Sequence, residues 1–226
     1  MEYIHNTEQF QFHNTVVALG KFDGMHKGHQ LIFDELIQYK QLGYQAAVFS
    51  FDRPPLNMLK HKHMRVIYTT NEKIKLLARR GIDIYIEHPF TDEFSHLSPE
   101  DFVIKVLLEK TGMKVLVVGD DCGFGYKRQG NVELLERMSK EYDFKLIVIP
   151  KLELEGEIVS STRVRRLLSE GRVEEANRLM EDPFMICGPV VHGNHMGAEV
   201  LQMPTANQIP AEDKLLPPNG VYVSRI

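Results

Sequence analysis

Val16-Val17-Ala18-Leu19-Gly20-Lys21-Phe22-Asp23-Gly24-Met25-His26-Lys27-Gly28-His29 is the stretch on which the reading of this chain turns. An apolar run with the character of a buried strand stops at Gly20. Two more glycines and two histidines follow, and the residues from Gln30 to Leu42 read as a helix. A loop between a strand end and a helix start offers free backbone N–H groups at the positive end of a helix dipole, where a triphosphate can be held with few cationic side chains. Its glycines let the backbone come close to an anion. His26 and His29 are three apart, so both imidazoles can face one point if the helix opens at Lys27. Taken singly, a glycine or a histidine in such a turn is ordinary structure. The order and context together point to phosphate handling. Zinc is not expected, because the nearest further ligands, His61 and His63, fall in a basic, loop-like stretch.

Composition sets the outer bounds. The chain has 226 residues, 43% hydrophobic and 26% charged, enough for one ordinary domain and part of a second. No apolar run approaches the roughly 18–20 residues that cross a bilayer. Residues 1–11 are polar rather than signal-like, so a cytoplasmic protein without a membrane partner is expected. A formal net charge of −4 speaks against nucleic acid, whose phosphates select basic surfaces. Cys122 and Cys187 lie far apart and form no metal or redox motif, as in a reducing compartment. Nothing here fixes an oligomeric state.

Strand-like and helix-like runs alternate through most of the chain. Strands are expected at 15–19, 46–51, 82–87, 114–119 and 145–149, each short, continuous and rich in Val, Ile or Phe. Helices are expected at 30–42, 71–80, 99–110 and 132–142. Thr69 with Glu72 reads as a capping box, and Ser98-Pro99 as a cap before a first-turn proline. Alternation of this kind predicts an α/β, Rossmann-like domain with a helix-covered parallel sheet. Its crossovers gather the carboxyl ends of the strands on one edge, so Gly20, Asp52 and Gly119 are expected to share a crevice. Beyond Pro150 two short helices are expected, 163–168 after Ser160-Ser161-Thr162 and 173–180. From Pro183 the text turns Gly-, Pro- and Val-rich, like the opening strands of a small β-barrel module. The division falls between 1–182 and 183–226. The second piece is too small for its own core, so it is cut short or leans on the first domain or on a partner.

These segments resemble the bacterial bifunctional riboflavin kinase/FAD synthetases, whose amino-terminal module is an FMN adenylyltransferase of the nucleotidylyltransferase superfamily. The likeness rests on five groups of residues in the family's order: 20–29; Phe49-Ser50-Phe51-Asp52-Arg53-Pro54-Pro55; Val118-Gly119-Asp120-Asp121-Cys122-Gly123-Phe124-Gly125; Val159-Ser160-Ser161-Thr162-Arg163-Val164-Arg165; and Val191-His192-Gly193 with Pro204-Thr205-Ala206-Asn207. Cys122 stands where that family usually has phenylalanine, Gln202-Met203 replaces a Gly-Phe pair, and Ala198 sits where a basic residue is common. The family's kinase glutamate, downstream of Pro-Thr-Ala-Asn, has no place before Ile226, so riboflavin phosphorylation is not expected of this chain.

The resemblance implies transfer of AMP from ATP to FMN, giving FAD and pyrophosphate. Such a transfer needs in-line alignment and stabilised charge rather than covalent help. His26 and His29 are the catalytic candidates, as hydrogen-bond donors to the phosphates. Gly20, Phe22 and Gly24 would shape the loop; Asp23 would either hold the turn or touch the nucleotide. Ser160, Ser161 and Thr162 at a helix start form a second candidate anion site, and Arg165 could add a two-pronged phosphate contact; a plain helix cap explains the hydroxyls as well. By resemblance Asp121, Phe124 and Gly125 belong to the nucleotide site and Asp52, Pro54 and Pro55 border the flavin. By resemblance too, Thr205 and Asn207 would hold ATP and magnesium in a complete kinase. Magnesium is expected to arrive on the substrate phosphates, with no confident protein ligand. Two other readings stay open at this point: nucleotidyl transfer to a different acceptor, and a flavin- or nucleotide-binding regulatory protein without turnover.

Overall fold

A computed structural model describes residues 1–52, 65–191 and 206–225. Six strands form one sheet: β1 (Glu2–His5), β2 (Thr15–Leu19), β3 (Gln45–Phe51), β4 (Ile84–His88), β5 (Met113–Gly119) and β6 (Lys145–Ile149). Their order is β1-β4-β3-β2-β5-β6, and every pairing is parallel. β2 is buried along its whole length, as a central strand covered on both faces must be. Side chains alternate across it. Val16 and Ala18 join the core under α1 (Lys27–Gln41), while Val17 and Leu19 join the opposite core.

The expected parallel α/β sheet is therefore present, with one strand more than the sequence suggested. β1 lies in the segment read as a polar terminus. It is an edge strand held by Tyr3, which stacks on Tyr85 at 5.4 Å and donates its hydroxyl to Glu87 at 2.6 Å. Only two of its four residues are even partly buried, so hydrophobic periodicity had little to report.

Helix α1 begins at Lys27, earlier than expected, with His26 as its N-cap. α2 (Thr70–Arg79) starts on the expected capping box: Thr69 accepts from the Glu72 N–H, and Glu72 accepts from the Thr69 N–H at 2.9 Å. A short turn, α3 (Asp92–Ser95), was not foreseen. The helix expected over 99–110 is split. Ser98 caps α4 (Pro99–Asp101), which runs into a π-helix, Phe102–Leu108. The wider turn sets Phe102, Val103, Val106 and Leu107 all against the sheet, and Glu109 and Thr111 donate five residues back. α5 (Val132–Glu141) precedes β6; a small hairpin of β7 (Glu153–Leu154) and β8 (Glu157–Ile158) follows it. Both turn residues of that hairpin have positive φ, Glu155 at 59° and Gly156 at 75°. α6 (Ser161–Ser169) and α7 (Val173–Leu179) pack on the α1 side.

The second piece does lean on the first. β9 (Val190–Val191) pairs antiparallel with β10 (Asn207–Gln208), and the chain then returns to residue 66. There Val66 donates to Asp213 and Leu215 donates to Val66, both at 2.7 Å. Leu215 enters the main core, and Lys214 is only 2% exposed.

Candidate active site

Strand order reverses beside β2: the chain works outward through β3 and β4, then crosses back to place β5 on the other flank of β2. A cavity of about 390 Å³ opens at this switch point. Leu19 and Gly20 at the end of β2, Gly119 at the end of β5 and Ile149-Pro150 at the end of β6 supply its strand-end wall. His26, Gly28 and His29 line it from the start of α1, and Ser160 and Ser161 from the start of α6.

The two imidazoles are stacked, with ring centres 3.7 Å apart and planes inclined by 18°. Phe22 meets His29 edge-on at 5.2 Å. A side chain at position 28 would put its Cβ 3.2 Å from Nδ1 of His26, so glycine there leaves the imidazole its place. Phe22 and Met25 hold positive φ, 49° and 36°, in non-glycine residues, so the loop carries backbone strain. Burial pulls His26 down to about 4, and burial followed by the charge of His26 pulls His29 well below its ordinary value. In both rings burial favours the neutral form. Among the described residues, Nδ1 of each is buried without a hydrogen-bond partner.

Asp23 does not line the cavity. Its Oδ1 accepts from the N–H groups of Ile67 at 2.9 Å and Tyr68 at 3.2 Å, and its Oδ2 pairs with Arg165 at 2.5 Å. Its carbonyl accepts from Ser161 Oγ at 2.6 Å. Every acceptor of Asp23 is thus committed to holding the loop, and the Arg165 guanidinium, which also donates to the carbonyl of Arg65, is committed with it. Gly24 lies behind the wall as well, at φ +83°, where a Cβ would meet Ile67 Cδ1 at 3.0 Å. Ser160 caps α6 by accepting from Arg163 at 3.2 Å; Thr162 is not among the residues that line the cavity.

On the β5 side, Asp121, Cys122 and Phe124 line the cavity, with Asp121 paired to Lys151 at 3.2 Å. Burial raises the Cys122 thiol to about 11, which makes it an inert wall group. Gly125 is structural: at φ +69° its added Cβ would meet Pro99 Cα at 2.7 Å. Asp52 stands one residue beyond Phe51, which lines the cavity, and spends Oδ1 on the Phe90 N–H at 2.8 Å. It does not share the crevice with Gly20 and Gly119 as expected. Pro54, Pro55 and Thr205 lie outside the described residues, and Asn207 is exposed in β10.

Three cations at the cavity, Lys21, Arg128 and Lys151, were not singled out from sequence. Arg128 follows Lys127, and both have positive φ, 51° and 58°. That turn lays the Arg128 guanidinium across Gly123, whose Cβ would meet Nε at 2.8 Å. A run of polar residues gives no periodicity from which to infer this placement.

The FAD synthetase family model matches residues 8–163, and the riboflavin kinase model matches residues 180–226. The chain belongs to the FAD synthetase family. Its relatives include the bifunctional riboflavin kinase/FMN adenylyltransferase of Buchnera aphidicola from Schizaphis graminum, 37% identical over 99% of this chain and 72% of the relative. The Listeria monocytogenes protein of the same description is 36% identical over 97% of this chain and 71% of its own. That from Escherichia coli is 32% identical over 99% and 71%. Among solved structures, one described as a macrolide-efflux protein from Streptococcus pneumoniae superposes with a TM-score of 0.84 at 30% identity, covering 97% of this chain and 72% of that one. Family membership accounts for the five motif groups in their order. Among the described residues no helix is long and apolar enough to cross a membrane, and no three His, Cys, Asp or Glu side chains are grouped to hold a metal ion.

Proposed function

We propose that this chain is an FMN adenylyltransferase that makes FAD and pyrophosphate from ATP and FMN, with residues 1–182 carrying the activity and 183–226 belonging to a riboflavin-kinase-like module. The observation that carries the reading is the stacked pair His26 and His29 lining a cavity at the switch point of the sheet. In the reaction an FMN phosphate oxygen bonds to the α-phosphorus of ATP while the bond from that phosphorus to the bridging oxygen of pyrophosphate breaks. Negative charge grows on the α-phosphate oxygens and on the leaving group. His26 and His29 donate N–H hydrogen bonds to that charge from a desolvated wall, where such bonds are strongest. Ser160, at the start of α6, accepts from Arg163 and keeps its own O–H for the same phosphates, whereas Ser161 spends its O–H on the Asp23 carbonyl.

Arg128 and Lys21 face the cavity as cations for the departing pyrophosphate. Phe124, with Phe102 at 5.8 Å behind it, gives the base an aromatic wall. Magnesium enters with ATP as part of the substrate and neutralises phosphate charge; the only cavity carboxylates among the described residues are Asp120 and Asp121, and Asp121 is held by Lys151.

The test is incubation of the protein with ATP, magnesium and FMN, followed by separation of flavins and a pyrophosphate assay. FAD and pyrophosphate in equal amounts are expected. Folded protein that forms no FAD overturns the reading. Product with CTP in place of ATP points to a different nucleotidyl transfer, and retained flavin without turnover to a regulatory binder.

A further inference from the structure

The loop that carries His26 and His29 is tied, through two short backbone steps, to a lysine from the other end of the chain. Lys214 lies in the segment matched by the riboflavin kinase model. Its Nζ donates to Glu72 Oε2 at 2.6 Å, to the Ile67 carbonyl at 2.6 Å and to the Met185 carbonyl at 2.7 Å. All three ammonium donors are spent, and the rings of Phe184 and Tyr68 cover the charge at 4.4 and 5.0 Å. Ile67 and Tyr68 are the two residues whose N–H groups Asp23 accepts. The 66–68 segment is thus gripped from one side by Lys214 and from the other by Asp23. Glu72 Oε1 accepts from Cys187 at 2.8 Å, which adds a second tie from the same module.

We propose that Lys214 is a positioning residue for adenylyl transfer: by fixing residues 66–68 it holds Asp23, and through Asp23 the histidine loop, so that the riboflavin-kinase-like module sets the affinity of the adenylyl-transfer site for ATP. The proposal rests on the function given above. A buried cation with three partners is costly to place unless every partner is present. Here the partners are two backbone carbonyls and one carboxylate drawn from residues 67, 72 and 185, so the charge is satisfied only when the module is docked. Docking and loop geometry then become one equilibrium, and small displacements of a phosphate loop have large effects on binding.

Lys214→Met in the 226-residue chain tests this. Three quantities are read: thermal melting by circular dichroism, amide exchange at Ile67 and Tyr68, and the kinetics of FAD formation. Expected are exchange at those two amides faster by about tenfold or more and a KM for ATP raised about tenfold, with kcat and the KM for FMN moved less than about threefold. In an Asp23→Asn background the same substitution adds little further, because both act through one segment. Lys214→Arg, which keeps the charge, recovers part of the ATP affinity. A lower melting temperature with unchanged exchange at Ile67 and Tyr68 and unchanged KM for ATP overturns the proposal and leaves Lys214 an anchor only. If Lys214→Met does not fold, Glu72→Gln, which keeps shape and an acceptor oxygen, decides by the same readings. If the wild-type chain makes no FAD, the function proposed above falls, while amide exchange and the dissociation constant for ATP still decide the coupling.

Discussion

His26 and His29 lie ring on ring, 3.7 Å between centres, although one ends a loop and the other begins the first turn of a helix. The backbone closes that turn, with the Gln30 and His29 N–H groups both donating to the His26 carbonyl, while Gly28 leaves the His26 ring room and Phe22 packs against His29. On the function proposed above, replacing either ring by alanine removes a donor from the transition state. Each of His26→Ala and His29→Ala should lower kcat for FAD formation by about 100- to 1000-fold, measured under saturating ATP and FMN. The double variant should cost less than the product of the two, because the rings support each other.

Burial of these rings also makes stability depend on pH. His26 titrates at about 4 in the folded protein against about 6.5 in an unfolded chain, and His29 shifts the same way. Between those values the unfolded state binds more protons, so stability rises with pH there. The contribution is complete above about 6.5 and is lost as pH falls towards 4. Urea unfolding at pH 7 and pH 5 should show a lower midpoint at pH 5, and His26→Gln should flatten that difference.

Asp23 is a strut whose loss leaves the Arg165 guanidinium and two N–H groups without their acceptor. Asp23→Ala should destabilise the protein by about 2–3 kcal/mol in urea unfolding, the range for hydrogen bonds to a charged group when the pair is partly exposed. Asp23→Asn keeps Oδ1 as an acceptor and should cost about half of that. A full loss of activity in Asp23→Asn with unchanged stability would instead assign the carboxylate to the nucleotide.

Arg128 should act on the leaving group. Its backbone is fixed in the left-handed region and its side chain faces the cavity. Arg128→Ala should reduce kcat/KM for ATP by roughly 10- to 100-fold, the worth of one charge-assisted hydrogen bond. Lysine at this position should restore only part, since an ammonium lacks the planar two-pronged donor. Steady-state kinetics at fixed FMN measures both.

Much of this molecule was legible before any coordinates. Continuous Val-, Ile- and Phe-rich runs marked β2 to β5, because a strand covered on both faces has no polar side to disguise it, and β6 at the half-buried edge kept enough of the same pattern. Thr69 with Glu72, and Ser98 before Pro99, announced helix starts through local hydrogen bonds that need no tertiary partner. The glycines and histidines between β2 and α1 marked the loop proposed to hold phosphate for the same reason: strand end, turn and helix start are consecutive in the chain. β1 was missed because an edge strand needs little hydrophobic surface, and the π-helix because one extra residue per turn barely alters an apolar pattern.

What the sequence alone marked was local: the buried strands, most of the helices and the strand-to-helix loop that carries His26 and His29. Which face each side chain turned to was decided only when distant segments met. Arg165 was read as a phosphate contact and Asp23 as either a turn holder or a nucleotide contact, yet 142 positions apart they found each other and closed the loop from behind. Gly125 lost its presumed nucleotide role to the close approach of Pro99, and Arg128 and Lys214 gained places that no pattern marked. The reason is physical. Hydrogen bonds and ion pairs between remote residues form only after the sheet has brought their elements together, so no spacing along the chain encodes them.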